Sequence, residues 1–242
     1  MLHGMSYGSR ARIGYTCPVF LAEIFVYDFY QIAPDGVSLV TATASVWQGT
    51  PDEIKRSAQQ SLVAAREMAK SGVNLVVFGG VPVGFAAGYA SVDDLVKELE
   101  TETGVPFTAS LLCQNHALQA LGARKLAVLR PGEGRLDQHT QSMERLGLEI
   151  VGVKGVGPNI YENPLTADKT LDMARALLRE HPEADTLHCP SPHWPMAVNI
   201  EALEHEFQVN VVTAGQAIIW ESLRRCGIKE PISGYGRLFR EL

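Results

Sequence analysis

Of the four cysteines, Cys17, Cys113, Cys189 and Cys226, Cys189 stands where a thiol can do acid/base or nucleophilic work. It follows a short apolar run that reads as a strand and opens the segment Cys189-Pro190-Ser191-Pro192-His193-Trp194-Pro195. Three prolines exclude a helix interior or a central strand, so this segment is a stiff loop that fixes whatever it presents. A thiol at a strand's carboxyl end, near the amino end of the next helix, meets backbone N–H dipoles that lower its pKa. Cys189 is therefore the candidate proton donor or nucleophile. The competing structural reading is a buried strand-end cysteine, with His188 and His193 as surface groups.

An earlier stretch with the same pattern reads Gly79-Gly80-Val81-Pro82, with Gly79 or Gly80 where Cys189 stands later. Deprotonating one face of a carbon and reprotonating the other requires two acid/base groups, whereas protonating a carbanion from one face requires one. One thiol and one glycine fit the second task; the glycines also fit a tight turn. Cys17, followed by Pro18, ends another strand and is a second candidate for the same site. Cys113 beginning a helix and Cys226 ending one read as structural. No C-x-x-C pair or zinc-ligand spacing occurs, so neither a metal nor a disulfide framework is expected. The glycines form no phosphate-binding motif, which argues against a nucleotide. Pro131-Gly132-Glu133-Gly134 reads as a turn, and Glu23, Asp28, Asp35 and Asp93-Asp94 as solvated or capping groups.

The elements that must position these residues alternate short β-branched runs with amphipathic stretches, the pattern of an α/β protein. Strands are expected at Arg12–Thr16, Val37–Thr43, Asn74–Phe78, Pro106–Ser110, Lys125–Leu129, Glu149–Val153, Asp185–His188 and Asn210–Thr213. Their near-continuous apolar character fits parallel strands covered on both faces. Thr50-Pro51-Asp52-Glu53 is a helix start with a capping box, and Gly72 its stop. Further helices follow Ser91, Gln114, Thr166, Pro195 and Gln216.

The order then repeats: first strands start near Arg12 and Lys125, third strands near Asn74 and Asp185, fourth strands near Pro106 and Asn210. The chain thus reads as two pseudo-symmetric open parallel-sheet subdomains, duplicated flavodoxin-like halves, residues 1–112 plus 216–242 and residues 113–215. Ligands of open α/β sheets bind at the carboxyl ends of the strands, so the expected active-site cleft lies between the halves. Its expected lining is Thr16-Cys17-Pro18, Gly79-Gly80-Val81-Pro82, Arg130-Pro131-Gly132 and Cys189-Pro190-Ser191-Pro192.

With 46% hydrophobic and 20% charged residues, the 242-residue chain has the composition of a globular protein with a substantial core. Its net charge of −6 supplies no basic surplus for nucleic acid or an anionic membrane. No run reaches the roughly 18–20 apolar residues of a membrane span. Arg10 and Arg12 are not followed by the apolar stretch of a signal peptide, so the cytoplasm is the expected compartment.

Five segments carry a resemblance: Ile13-Gly14-Tyr15-Thr16-Cys17-Pro18, Gly49-Thr50-Pro51, Ala120-Leu121-Gly122-Ala123-Arg124-Lys125, Cys189, and the tail Gly234-Tyr235-Gly236-Arg237-Leu238-Phe239. The chain resembles the aspartate/glutamate racemase superfamily and, within it, the arylmalonate decarboxylases, with maleate cis-trans isomerases as near relatives. The resemblance spans nearly the whole length, and the tail is its most specific piece. It implies an enzyme that needs no cofactor, built from two pseudo-symmetric subdomains. Racemases and maleate isomerases of this kind carry a reactive cysteine in each half; the decarboxylases keep only the second, which Cys189 matches. There, one carboxylate of a disubstituted malonate leaves an apolar pocket as carbon dioxide. Hydroxyl and backbone donors hold the other, and the cysteine protonates the resulting enediolate.

Three departures stand out. Val81-Pro82 replaces consecutive hydroxyl residues, Gly132 stands where the family has a tyrosine, and a bulky Pro190 to Pro195 loop replaces glycines and small apolar residues. Ser191, Thr16 or loop amides are then the groups left to hold the substrate. The expected function is a cofactor-independent lyase acting on a small carboxylic acid, with a homo-oligomer left open. The alternatives are a racemase or isomerase in which Cys17 supplies the second thiol, and a non-catalytic binder of small carboxylic acids.

Overall fold

A computed structural model describes residues 7–20, 22–131, 136–156 and 165–241. In chain order the elements are β1 (Ala11–Val19), α1 (Glu23–Ile32), β2 (Val37–Val46), α2 (Pro51–Lys70), β3 (Leu75–Phe78), α3 (Val81–Phe85), α4 (Val92–Thr103), β4 (Phe107–Ala109) and α5 (Ser110–Ala120). They continue with β5 (Lys125–Pro131), α6 (Leu136–Arg145), β6 (Glu149–Val156), α7 (Ala167–Glu180), β7 (Thr186–Cys189), α8 (Ile200–Phe207), β8 (Asn210–Thr213), α9 (Ala214–Arg225) and α10 (Arg237–Glu241). Two four-stranded sheets result, ordered β2-β1-β3-β4 and β6-β5-β7-β8, and every pairing is parallel. All eight expected strands are present. The fold is α/β with two sheets of matching topology.

The two copies share their anchoring bonds as well as their order. Asn74 N–H donates to the Arg12 carbonyl, and the Asn74 side-chain oxygen accepts from Arg12 N–H at 2.8 Å. Asp185 N–H likewise donates to the Lys125 carbonyl, while its carboxylate accepts from Lys125 N–H at 3.0 Å. A short polar side chain before the third strand thus pins the start of the first in both sheets.

The chain divides into compact units of Met1–Cys113 with Glu221–Ile228, and Gln114–Trp220 with Lys229–Leu242. This differs from the division read from the sequence at the returning segment: one boundary falls inside α9, and the tail belongs with the second unit. Side-chain bonds explain the tail. Buried Glu204 of α8 accepts from Arg237 N–H at 2.8 Å, Arg237 donates to Asn210 Oδ1 at 2.6 Å, and Gln216 Nε2 donates to the Tyr235 carbonyl at 2.8 Å.

Local chemistry accounts for most helix starts. Thr50 caps α2 with a complete capping box, Ser91 caps α4, and Thr166 caps α7. Helix α1 had no sequence signal: Ala22 offers no side-chain cap, and Phe25, Val26, Tyr27 and Phe29 are poor helix formers. Burial carries it instead. Phe25, Phe29 and Ile32 are all buried, and the Phe25 ring lies 4.3 Å from that of Tyr15 on β1. Among the described residues no helix is long and apolar enough to cross a membrane.

Candidate functional site

In the second unit, Cys189 is the last residue of β7 and is fully buried. It belongs to an apolar cluster with Leu129, Leu187, Trp194, Met196, Ile200 and Leu203. Its thiol donates to the Leu129 carbonyl at 3.3 Å. The expectation of a lowered pKa is overturned: burial pushes the thiol well above its usual range. The physical reason is the loop. Pro190 to Pro195 intervenes, and the next helical turn begins only at Ala197, so the helix that follows β7 does not start at the sulfur. The same observation favours the structural reading of a buried strand-end thiol, but not its histidines. His188 is buried with Nδ1 3.2 Å from the Val212 carbonyl, and His193 is buried with burial pushing its pKa down to about 4.

The loop after Cys189 is held at its far end. The Thr170 hydroxyl of α7 donates to the Pro195 carbonyl at 3.0 Å, and Asn199 Nδ2 donates to the Ala167 carbonyl at 2.8 Å. Ser191 is buried and its hydroxyl oxygen accepts from His193 N–H at 3.4 Å, while Pro190 is half-buried. Trp194 is buried, and its indole Nε1–H has no acceptor among the described residues. At the end of β5, Arg130 is the one buried arginine or lysine among the described residues, and burial lowers its pKa. Gly132, Glu133 and Gly134 lie outside the described residues.

In the first unit the expected lining residues do come together. The Thr16 hydroxyl oxygen accepts from Gly79 N–H at 3.0 Å, which ties the ends of β1 and β3. A Cβ on Gly79 would overlap the Thr16 carbonyl oxygen, and one on Gly80 would lie 2.6 Å from Pro18 Cγ. Gly80 also has φ +81°, so both positions require glycine. β1 runs through Pro18, where its register against β2 shifts between Cys17 and Val19, as a residue without an N–H demands. Cys17 is buried, and burial pushes its thiol up to about 12. Val81 opens α3, with Pro82 next, and neither brings a hydroxyl.

Matching the copies by Arg12–Asn74 and Lys125–Asp185 puts Phe78, rather than a glycine, level with Cys189. Gly79 then corresponds to Pro190. The conclusion that the first unit carries no thiol at this level is unchanged.

Two buried groups escaped the sequence reading. The Tyr15 hydroxyl has no partner among the described residues, and burial pushes its pKa well up. Thr108 donates to Glu221 at 3.0 Å and lies 3.6 Å from the Cys113 sulfur. Tyr15 and Thr108 sit in apolar strands, where a single polar residue reads as core. Among the described residues no group of three or more His, Cys, Asp or Glu is placed to hold a metal ion.

These features have close parallels among known proteins. The chain is 23% identical over 244 residues to the arylmalonate decarboxylase of Bordetella bronchiseptica, covering 98% of this chain and all of that one. Among solved structures, a doubly substituted arylmalonate decarboxylase in liganded form matches with TM-score 0.82 at 21% identity, covering 96% of this chain and all of that one. The maleate isomerase of Pseudomonas putida S16 matches with TM-score 0.81 at 17% identity, covering 96% and 98%. These structural matches establish the shared fold. The arylmalonate decarboxylase family model matches residues 25–239, nearly the whole chain from α1 to the tail. The chain therefore belongs to the arylmalonate decarboxylase family.

Proposed function

We propose that this protein is a cofactor-independent decarboxylase of malonate-type carboxylic acids, with Cys189 as the proton donor. The observation that carries the reading is a single strand-end thiol kept in its protonated form by burial, in a chain of this family. A general acid must hold its proton until the carbanion forms, and a thiol with a raised pKa does so throughout the neutral range.

In the proposed reaction the bond from the α-carbon to one carboxylate breaks, and its electron pair passes into the retained carboxylate as an enediolate. Carbon dioxide departs. The Cys189 S–H bond then breaks, its proton joins the α-carbon, and the thiolate recovers a proton from water. Apolar surroundings disfavour the charged leaving carboxylate. The enediolate carbon, a far stronger base than a thiolate, takes the proton although the thiolate left behind is disfavoured there until water reprotonates it. Arg130, buried at the end of β5, is a positive charge of this unit whose sign suits a dianionic substrate. For the sulfur to reach substrate, its bond to the Leu129 carbonyl must break.

A second reading, a non-catalytic binder of small carboxylic acids, is favoured by the same burial together with the missing hydroxyls at Val81 and Pro82. Carbon dioxide release from phenylmalonate by the purified chain, absent in Cys189→Ala, supports the decarboxylase. Binding of phenylmalonate without turnover favours the binder. A racemase using Cys17 predicts instead solvent deuterium exchange into a chiral carboxylic acid that is lost in Cys17→Ser.

A further inference from the structure

We propose that the Trp194 indole N–H donates a hydrogen bond to the substrate's retained carboxylate, which makes Trp194 a substrate-contacting residue of the Cys189 site. The inference rests on the decarboxylase reading for the class of substrate, and on the following observations for the contact.

The indole ring of Trp194 is buried, and its Nε1–H has no acceptor among the described residues. An indole nitrogen is a donor only, and a buried tryptophan usually finds an acceptor for it. An unmet buried donor therefore calls for an explanation, and a ligand that brings an acceptor is one. The ring shares one apolar cluster with Cys189, Leu129 and Met196. A neutral donor in such surroundings suits an oxyanion carried on an apolar body, as in an arylacetate or arylmalonate; a strongly hydrated polar solute would lose more water contacts than it gained.

Position is fixed from several sides. Met196 N–H donates to the Trp194 carbonyl at 2.8 Å, the Thr170 hydroxyl holds the Pro195 carbonyl, and Asn199 Nδ2 donates to both Ala167 and Thr170. Such a donor needs little ordering when substrate arrives. Charge that builds on the retained carboxylate as carbon dioxide leaves strengthens a bond from this N–H.

The test is a titration of the full-length, 15N-labelled protein with phenylacetate, an unreactive monocarboxylate, followed through the indole N–H signals of Trp47, Trp194 and Trp220. Trp194→Phe, which keeps an aromatic ring and deletes the N–H, identifies the Trp194 signal. The expected result is a saturable downfield shift of that signal, retained in Cys189→Ala. Trp194→Phe is further expected to raise KM for phenylmalonate about ten- to hundredfold, the range for a lost bond to a charged group. An unmoved Trp194 signal overturns the inference; if Trp194→Phe fails to fold, Trp47→Phe and Trp220→Phe assign the signal by elimination and only the kinetic arm is lost. The two ideas fail separately. A shift in Trp194 with full turnover by Cys189→Ala removes the proton donor and keeps the contact; loss of turnover with an unmoved Trp194 does the reverse.

Discussion

The Cys189 thiol and the Leu129 carbonyl join the ends of two neighbouring strands, sulfur to oxygen at 3.3 Å inside an apolar cluster. A thiol that spends its proton on a carbonyl and is buried away from solvent is a poor nucleophile, because only the thiolate attacks. Cys189 is accordingly expected to react with iodoacetamide at neutral pH at least tenfold more slowly than free cysteine. Peptide mapping of the labelled protein measures this, and a rate above that of the free amino acid would contradict the buried, protonated thiol.

Gly79 lies so close to β1 that any side chain there meets backbone. Gly79→Ala is expected to destabilise the protein by about 1–3 kcal/mol, because the Thr16 carbonyl oxygen that the new Cβ would overlap is tied into a parallel strand. Urea unfolding of the variant is the check. An unchanged midpoint would show that β1 and β3 can separate at no cost.

His193 carries a pH dependence of known sign. Burial pushes its pKa from 6.5 down to about 4, so the unfolded chain binds a proton that the folded chain refuses between these values. Stability is fully present above about pH 6.5 and falls as the pH drops toward 4, by on the order of 3 kcal/mol. His193→Gln is expected to flatten that part of the curve, measured as Tm against pH.

Asp28 behaves in the opposite sense. Burial on α1 raises its pKa from 3.8 to about 6, so the folded chain holds the proton longer than the unfolded one. Its contribution is best at low pH and is lost as the pH rises from about 4 to 6. Asp28→Asn is therefore expected to raise Tm at pH 7, by the equivalent of about 1–3 kcal/mol, and to change little at pH 4. A lower Tm at pH 7 would mean that the carboxylate has a stabilising partner.

Much of this architecture is legible in the chain itself. Strands such as Asn210–Thr213, capped helices such as α2 and the repeat that aligns Asn74 with Asp185 follow from apolar runs and capping residues. Helix α1 is not legible, since its stability comes from Phe25 and Phe29 reaching the core and not from propensity. The thiol environment is equally hidden. Position at a strand end says that Cys189 can reach a site, whereas its pKa depends on burial in an apolar cluster assembled from residues as distant in sequence as Leu129 and Leu203, a tertiary matter. The same holds for Asp28, whose sequence context is that of a surface helix.

The central claim is that Cys189 delivers the proton, and the most direct test measures carbon dioxide release from phenylmalonate by the native protein and by Cys189→Ala, each checked for an unchanged circular dichroism spectrum. The account predicts turnover by the native protein and a loss of about a hundred- to ten-thousandfold in the folded variant, the range for removing a general acid. Turnover by Cys189→Ala at the native rate would contradict it.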